Sequence, residues 1–324
     1  MNDLKIIRGP ISAELVEFEK HFKTALKSSV PFLDSITNYI LRRKGKQLRP
    51  TFVLLSSRLF GEINSSSYTA ASLIELLHTA SLVHDDVVDE SYERRGFFSL
   101  KALWRSKVAV LVGDFLLAQG LLLSVSHKEY ELLEIVSRAV KEMSEGELLQ
   151  IRKTRRLDIS MDEYFEIIRK KTAALIAACT ACGAKAAGES EEVIETMREF
   201  GYRVGIAFQI KDDLFDYQRN GNIGKPTAND IKEKKMTLPL LYTLQNCTKK
   251  EKSEIIHIIR KENKDREKVD RVFSYVEKYR GIEFAESKLT QYRNEAIEIL
   301  MSFPENSARD SLVHLVDFTV KRKK

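Results

Sequence analysis

The chain has 324 residues, of which 43% are hydrophobic and 31% are charged, and its formal net charge is +6. This length supports a sizeable hydrophobic core, and this composition excludes an intrinsically disordered chain. The basic residues form local groups without the pattern of a nucleic-acid-binding module, so we predict no nucleic-acid partner.

Apolar residues recur at helical spacing along most of the chain, and no proline falls between Pro50 and Pro226. This pattern predicts an all-α fold, a bundle of long helices. No linker rich in Pro, Gly or Ser divides the chain, so we predict a single domain, 1–324. The predicted helices, in chain order, are 11–28, 32–43, 48–60, 66–91, 107–126, 129–150, 161–187, 190–219, 236–245, 249–261, 266–278, 282–301 and 307–321.

Two segments permit more than one interpretation. The stretch 108–125 is apolar and long enough to cross a membrane. Because Asp114 and Gln119 interrupt it, we interpret it as a core or subunit-interface helix, with at most peripheral membrane contact by the protein. The small residues of 170–179 are typical either of close helix packing or of a helix that leaves space for a long apolar ligand.

The cysteines and the amino-terminal residues indicate the compartment. Three cysteines do not make a disulfide framework. Cys179 and Cys182 have CxxC spacing, but no second pair or nearby histidine completes a zinc site, so we predict buried thiols in a helix. Residues 1–10 lack the long apolar region of a signal peptide. We expect a reducing, cytoplasmic setting.

Two aspartate clusters of the same form lie far apart in the chain: Asp85, Asp86 and Asp89, and Asp212, Asp213 and Asp216. In a helix, each cluster points three carboxylates in roughly one direction. These like charges repel and raise one another's pKa unless a cation neutralises them. Mg²⁺ typically binds a few carboxylates together with substrate phosphates. The two clusters therefore predict facing magnesium sites around a diphosphate, with Mn²⁺ as a substitute metal.

Further motifs accompany the clusters in a characteristic order. With them, the chain resembles the trans-type isoprenyl diphosphate synthase family, in its long-chain, octaprenyl- or hexaprenyl-like branch. The resemblance covers roughly residues 40 to 240 and implies the isoprenoid synthase fold, with a central cavity. The motifs that carry it are 45–50, 78–84, 93–96, 112–114, 171–172, 208–211, 224–226 and 235–239.

The resemblance implies a prenyltransferase reaction and a role for each motif. An allylic diphosphate ionises, the double bond of isopentenyl diphosphate attacks the allylic cation, and a proton is lost. By resemblance, Asp85, Asp86 and Asp89 bind two Mg²⁺ and Asp212 with its neighbours binds a third, while Thr172 and Gln209 orient the substrate. Isopentenyl diphosphate is assigned to Lys46, Arg49, His78 and Arg95, and the allylic diphosphate to Arg94, Lys171, Lys225 and Lys235.

Product length depends on the residues just before the first cluster. In this family the growing tail runs between helices away from that cluster, and Ala80 and Ser81 lie about one turn deeper. Both are small, so we predict a product of about C30 to C50, since one helical turn of ~5.4 Å corresponds to one isoprene unit. Bulkier residues are expected to shorten it. A homodimer that supplies a quinone side chain is implied by resemblance alone.

Three other functions remain open at this point. A shorter-chain synthase, making geranylgeranyl or farnesyl diphosphate, is the nearest alternative. A non-catalytic synthase subunit is a remote one, because such subunits lose aspartates. A terpene cyclase usually carries a second metal motif of another type.

Overall fold

The computed structural model describes residues 2–42, 45–90, 92–94, 97–217 and 229–322. Within these ranges the fold is all-α, as predicted, apart from a short antiparallel ribbon of β1 (Glu93–Arg94) and β2 (Phe97–Phe98), in which Glu93 pairs with Phe98. The helices are α1 (Asn2–Ile7), α2 (Ser12–Ala25), α3 (Pro31–Arg42), α4 (Leu48–Phe60), α5 (Ser65–Val88), α6 (Leu100–Ser126), α7 (Tyr130–Arg156), α8 (Met161–Ile168), α9 (Ala174–Ala186), α10 (Glu191–Phe215), α11 (Asn229–Lys232), α12 (Leu238–Asn246), α13 (Lys249–Lys261), α14 (Arg266–Lys278), α15 (Gly281–Met301) and α16 (Ser307–Lys321).

Side-chain caps explain where several helices begin. The side chains of Asn64, Ser160 and Thr248 each accept a hydrogen bond from the backbone N–H three residues later. In return, the backbone N–H of each cap residue donates to the side chain of that later residue. These reciprocal bonds satisfy donors that the first helical turn leaves unpaired. The predicted starts of α5, α8 and α13 are therefore correct to within one residue.

Helices α1 and α11 were not predicted, and α2, α5 and α10 end three or four residues before their predicted ends. Three further differences concern α6, α7 and the predicted helix 161–187. Helix α6 starts at Leu100, capped by Ser99, and is kinked at Arg105 (φ 69°, ψ 162°), so the prediction from residue 107 captured only the part after the kink. Helix α7 continues to Arg156, because basic side chains stabilise the negative end of a helix. The predicted helix 161–187 is interrupted by a π-helical turn, Arg169–Ala173.

By contact, the chain divides into two compact units. Unit 1 comprises Met1–Val140, Ala178–Arg198 and Pro304–Leu312, and unit 2 comprises Lys141–Ala177, Glu199–Phe303 and Val313–Lys324. The division falls inside α7, α9, α10 and α16 rather than in a linker. We therefore retain the single domain, 1–324, as our proposal.

The core of unit 1 lies between α5 and α6. A cluster of buried apolar side chains there also includes Leu26 and Ile36 from the amino-terminal helices. The members from α5 and α6 are Leu76, Ala80, Val83, Leu100, Ala109, Val112 and Leu116.

Cys179 and Cys182 are also buried, as predicted, and burial raises the pKa of the Cys179 thiol to about 12. Both are therefore inert, protonated thiols.

The π-helical turn of unit 2 packs closely against α10. A Cβ added at Gly205 would overlap the backbone and side chain of Ala173. Ala173, Ala174 and Ala177 are all buried. The small residues of this segment thus serve close helix packing, which decides between the two interpretations of 170–179.

Helix α6 is strongly apolar, yet many of its large apolar side chains are exposed. Among the described residues it alone is long and apolar enough to span a membrane, judged by length and composition. One third of its most apolar window is buried within the chain. Its exposed large apolar residues are Leu103, Val110, Leu111, Leu117, Leu121, Leu122 and Val125.

Candidate active site

The first aspartate cluster lies at the carboxyl end of α5. Asp85 and Asp89 are exposed, whereas Asp86 is only 5% exposed. Asp89 is the C-cap, and its N–H bonds to the Asp85 carbonyl at 2.8 Å. The end of a helix carries partial negative charge, which disfavours carboxylates there and favours a cation. Asp85 and Asp89 are therefore well placed to hold a metal ion that keeps water or phosphate ligands.

His84 joins this end of α5 to α6. Its Nε2 lies 3.2 Å from the Val110 carbonyl oxygen and 3.4 Å from Asp114 Oδ1. A Cβ added at Gly113 would overlap the His84 ring. The glycine of the Val112-Gly113-Asp114 motif thus makes room for the histidine that precedes the first cluster.

Gly113→Ala is expected to reduce the free energy of unfolding by about 1–3 kcal/mol, because the added methyl group must displace the His84 ring. Urea denaturation followed by circular dichroism measures this. Gly120→Ala is the matched control on the same helix, since its Cβ would lie 3.3 Å from Leu73 Cδ1. Equal stability losses in the two variants would contradict the steric explanation.

The residues assigned to isopentenyl diphosphate lie in unit 1. Lys46 is exposed and its carbonyl accepts a hydrogen bond from the Arg8 guanidinium. Arg49 Nη1 lies 3.8 Å from Glu75 Oε2, one turn before His78 on α5. The structure thus places Arg49 about one helical turn from His78 along α5. Arg95 lies outside the described residues.

The second aspartate cluster lies at the carboxyl end of α10, in unit 2. Asp213 is 6% exposed and accepts hydrogen bonds from Tyr164 Oη (2.7 Å), Gln209 Nε2 (3.1 Å) and the Leu238 N–H (3.2 Å). Burial raises the pKa of Asp213 to about 6 despite these donors. Asp213 is thus held within the fold by protein groups.

Asp216 and Asp212 differ in what they contact. Asp216 is buried, and its Oδ2 accepts the Asp230 N–H at 2.5 Å. Burial, with Asp216 and Asp213 nearby, raises the pKa of Asp230 to about 7. The Asp212 side chain is 38% exposed and forms an ion pair with Arg322. Asp212 is therefore the most accessible carboxylate of this cluster.

Lys171 and Thr172 project from the π-helical turn. Lys171 Nζ lies 2.5 Å from Glu147 Oε2 and donates to Gln150 Oε1 at 3.1 Å. Thr172 Oγ1 donates to Gln209 Oε1 at 2.9 Å. Because Gln209 in turn donates to Asp213, one hydrogen-bonded chain connects Thr172 with the second cluster. π-Helical turns are frequent at functional sites.

Lys235 lies at a cavity of about 280 Å³ in unit 2. Its Nζ is 2.5 Å from Glu233 Oε2 and 3.8 Å from Asp230 Oδ1. Burial alone would lower the pKa of Lys235, but the Glu233 hydrogen bond and the nearby carboxylates raise it, so the cation persists. The cavity is lined by Gln150, Ile151, Thr154, Arg155, Glu233 and Lys235. Lys225 lies outside the described residues, and Arg94 is described only as backbone in β1.

Few of the described side chains are placed to bind a divalent metal ion directly. Within the described ranges, no three His, Cys, Asp or Glu side chains converge tightly enough to hold a metal by themselves. Mg²⁺ does not need such a cage, because it retains waters and binds one or two carboxylates plus phosphate oxygens. The accessible carboxylates Asp85, Asp89 and Asp212 fit that mode of binding.

Tyr164, Asp230 and Arg322 are among the residues that contact the predicted ones and that sequence reasoning missed. Tyr164 and Asp230 are far from the second cluster in sequence and carry no recognisable motif. Arg322 belongs to a basic carboxyl terminus, which by composition indicates only solvent exposure.

Comparisons with known proteins identify the family of this chain. The polyprenyl synthetase family model matches residues 30–276. Octaprenyl diphosphate synthase of Escherichia coli (strain K12) is 33% identical over 298 residues, which cover 92% of each chain.

Solved structures match over nearly the whole chain. A decaprenyl diphosphate synthase from Rhodobacter capsulatus superimposes with a TM-score of 0.92 at 30% identity, covering 98% of each chain. A geranylgeranyl pyrophosphate synthase from Bacteroides thetaiotaomicron has a TM-score of 0.82 at 36% identity, covering 99% of this chain and 100% of that one. This chain therefore belongs to the polyprenyl synthetase family, the all-α trans-type isoprenyl diphosphate synthases.

Proposed function

We propose that this prenyltransferase is a Mg²⁺-dependent all-trans polyprenyl diphosphate synthase that condenses an allylic diphosphate with successive isopentenyl diphosphates. The observation that carries the proposal is the same in both units. A long helix ends in an aspartate cluster in which one carboxylate is built into the fold and another remains accessible. Such an end suits a metal that is completed by substrate phosphate.

Ionisation of the allylic diphosphate is the demanding step, because negative charge grows on the leaving group. Asp85, Asp89 and Asp212 would hold Mg²⁺, which supplies charge neutralisation to that leaving group when bound. The Lys171 ammonium, oriented by Glu147 and Gln150, would add a mobile positive charge.

The Gln209 amide is held at both of its polar atoms. Thr172 donates to its oxygen, and its nitrogen donates to Asp213. The amide dipole is therefore fixed before substrate arrives. A preorganised dipole of this kind can stabilise charge that develops during ionisation without costing reorganisation energy. No protein side chain is proposed as the proton acceptor, a role that we assign to the released pyrophosphate.

Product sizing tests this function. Purified protein is incubated with farnesyl diphosphate, radiolabelled isopentenyl diphosphate and Mg²⁺, and products are separated by reversed-phase chromatography. We expect chains of about C30 to C50, with each turn of open helix adding about one unit. A C20 product would favour the shorter-chain alternative, and no elongation would contradict the proposal.

Chain-length control is proposed to lie at Ala80 and Ser81. Ala80 is buried in the α5–α6 core, so a bulky residue there risks overpacking, whereas Ser81 is half-buried and its hydroxyl donates to the His78 carbonyl in its own helix. Ser81→Phe is expected to shorten the product by at least one isoprene unit with turnover retained. Leu82→Phe, one position along the same helix, is the control. An unchanged product in Ser81→Phe would reject this path.

A homodimer is proposed from the surface of α6. Its exposed apolar residues, which include Leu111 (58%) and Leu122 (60%), would be covered by a second copy of the chain. Sedimentation is expected to give twice the 37.2 kDa chain mass. Leu122→Glu is expected to shift the protein towards monomer, whereas Leu148→Glu, an exposed position on α7, leaves it dimeric. A monomeric wild type would contradict the proposal.

The cellular setting is also a proposal. The buried, unpaired thiols suit a reducing cytoplasm, and a long apolar product suits delivery of a quinone side chain to a nearby membrane.

A further inference from the structure

Arg322, which directly follows helix α16, contacts Asp212 of the second aspartate cluster and two aromatic rings of α10. Its Nη2 forms an ion pair with Asp212 Oδ1 and lies 3.4 Å from the Phe208 carbonyl oxygen. Its guanidinium carbon lies 3.8 Å from the centre of the Phe208 ring and 5.3 Å from that of Phe215. The arginine is thus seated on the carboxyl end of α10, with only 18% of its side chain exposed.

This contact uses the carboxylate that a metal would need. Asp213 and Asp216 already accept hydrogen bonds from protein groups, whereas Asp212 is the accessible acid of the cluster. A guanidinium and a divalent cation both neutralise a carboxylate, and their like charges repel one another, so they compete for Asp212. Removal of the arginine would take one positive charge away from Asp212, which lies beside two other carboxylates, and this favours binding of a cation.

The hydrogen-bonding groups of the largely buried Arg322 side chain are not all satisfied by the part of the chain that the structure describes. Its buried Nε has no hydrogen-bond partner within the described residues. Burial lowers the pKa of Arg322, although the guanidinium stays charged at any physiological pH. Arg322 directly follows the last residue of α16, and its N–H donates to the Phe318 carbonyl at 3.1 Å, so its side chain can turn away from Asp212 while this backbone bond stays intact. An imperfectly satisfied cation beyond the last turn of a helix is a suitable group to be displaced.

We propose that Arg322 is an internal counter-ion of the diphosphate site: it neutralises Asp212 before substrate binds, and the divalent cation must displace it. The inference rests on the proposed function, because it takes Asp212 as a metal ligand. It gives the basic carboxyl terminus a specific task, which is to raise the metal concentration at which the second cluster fills.

Manganese binding to the substrate-free protein tests the proposal. Full-length chains in metal-free buffer are titrated with Mn²⁺, and free Mn²⁺ is measured by electron paramagnetic resonance. Arg322→Gln is expected to bind Mn²⁺ about two- to fivefold more tightly, the range for loss of one competing charge at a partly exposed carboxylate. Lys321→Gln is the matched control, since it removes the neighbouring positive charge, which pairs with Asp317 at 2.8 Å.

A second pair of variants separates Mn²⁺ binding at Asp212 from Mn²⁺ binding at the first aspartate cluster. In an Asp212→Asn background, Arg322→Gln is expected to leave Mn²⁺ affinity unchanged, because the contested carboxylate is gone. Unchanged or weaker binding in the single Arg322→Gln variant would overturn the inference, as would an equal gain in Lys321→Gln. Product formation by the wild type is assayed in parallel: elongation without an Arg322 effect refutes only the counter-ion, whereas no elongation refutes the proposed function.

Discussion

Asp212→Asn is expected to lower kcat by at least about 10²- to 10³-fold, the cost of removing one strong stabiliser of developing charge. Asparagine keeps the size of the side chain but removes the negative charge that would bind Mg²⁺. Asp85→Asn is expected to have a similar effect from the first cluster, because Asp85 and Asp89 are its exposed carboxylates. Steady-state kinetics with saturating substrates and millimolar Mg²⁺ measure both losses.

Two controls make this result specific. Glu298→Gln removes a negative charge from an exposed position on α15 and is expected to leave kcat within about twofold, as surface substitutions usually do. Chelation with EDTA is expected to abolish turnover, and added Mg²⁺ or Mn²⁺ to restore it. Full activity of the wild type in chelator, or of both aspartate variants in Mg²⁺, would refute the metal role.

Asp213→Ala is expected to lower the free energy of unfolding by about 3–5 kcal/mol at neutral pH, because it leaves the partners of a buried carboxylate unsatisfied. These partners are the Tyr164 hydroxyl, the Gln209 amide and the Leu238 N–H. Equilibrium denaturation in urea measures the loss. Tyr164→Phe removes only one of the three donors and is expected to cost about 1–2 kcal/mol.

The Asp213→Ala effect should also depend on pH. The pKa of Asp213 is raised to about 6 by burial, so between pH 4 and 6 the folded state binds a proton that the unfolded state has released. This contribution to stability is complete below the unfolded pKa near 3.8 and is lost as the pH rises through 6. The stability difference between wild type and variant is therefore expected to be about 1 kcal/mol larger at pH 5 than at pH 7. A difference that grows towards neutral pH would contradict a raised pKa.

The sequence predicted well what depends on local periodicity and on motifs. Helical spacing of apolar residues is a property of neighbouring positions, so α4, α13, α14 and α16 are observed within a residue of their predicted bounds. The two aspartate clusters were equally visible, because acids grouped in apolar helices conflict with burial unless a charge compensates them.

The tertiary structure decided which acid of each cluster is accessible. The six aspartates look alike in the sequence, but Asp86, Asp213 and Asp216 are buried, whereas Asp85, Asp89 and Asp212 reach solvent or a partner. Burial depends on which elements pack against a helix end, and two of the three donors to Asp213 come from positions 49 and 25 residues away in sequence. No spacing rule can anticipate such long-range partners.

By itself, then, the sequence determined the helical class, the two acidic helix ends and the family motifs, because each is encoded within a few turns of chain. Only the folded chain decided that Gly113 accommodates His84, that Glu147 and Gln150 orient Lys171, and that Arg322 neutralises Asp212. These contacts join residues that are distant in sequence. Their geometry follows from how the helices pack, which the local pattern of any one helix does not specify.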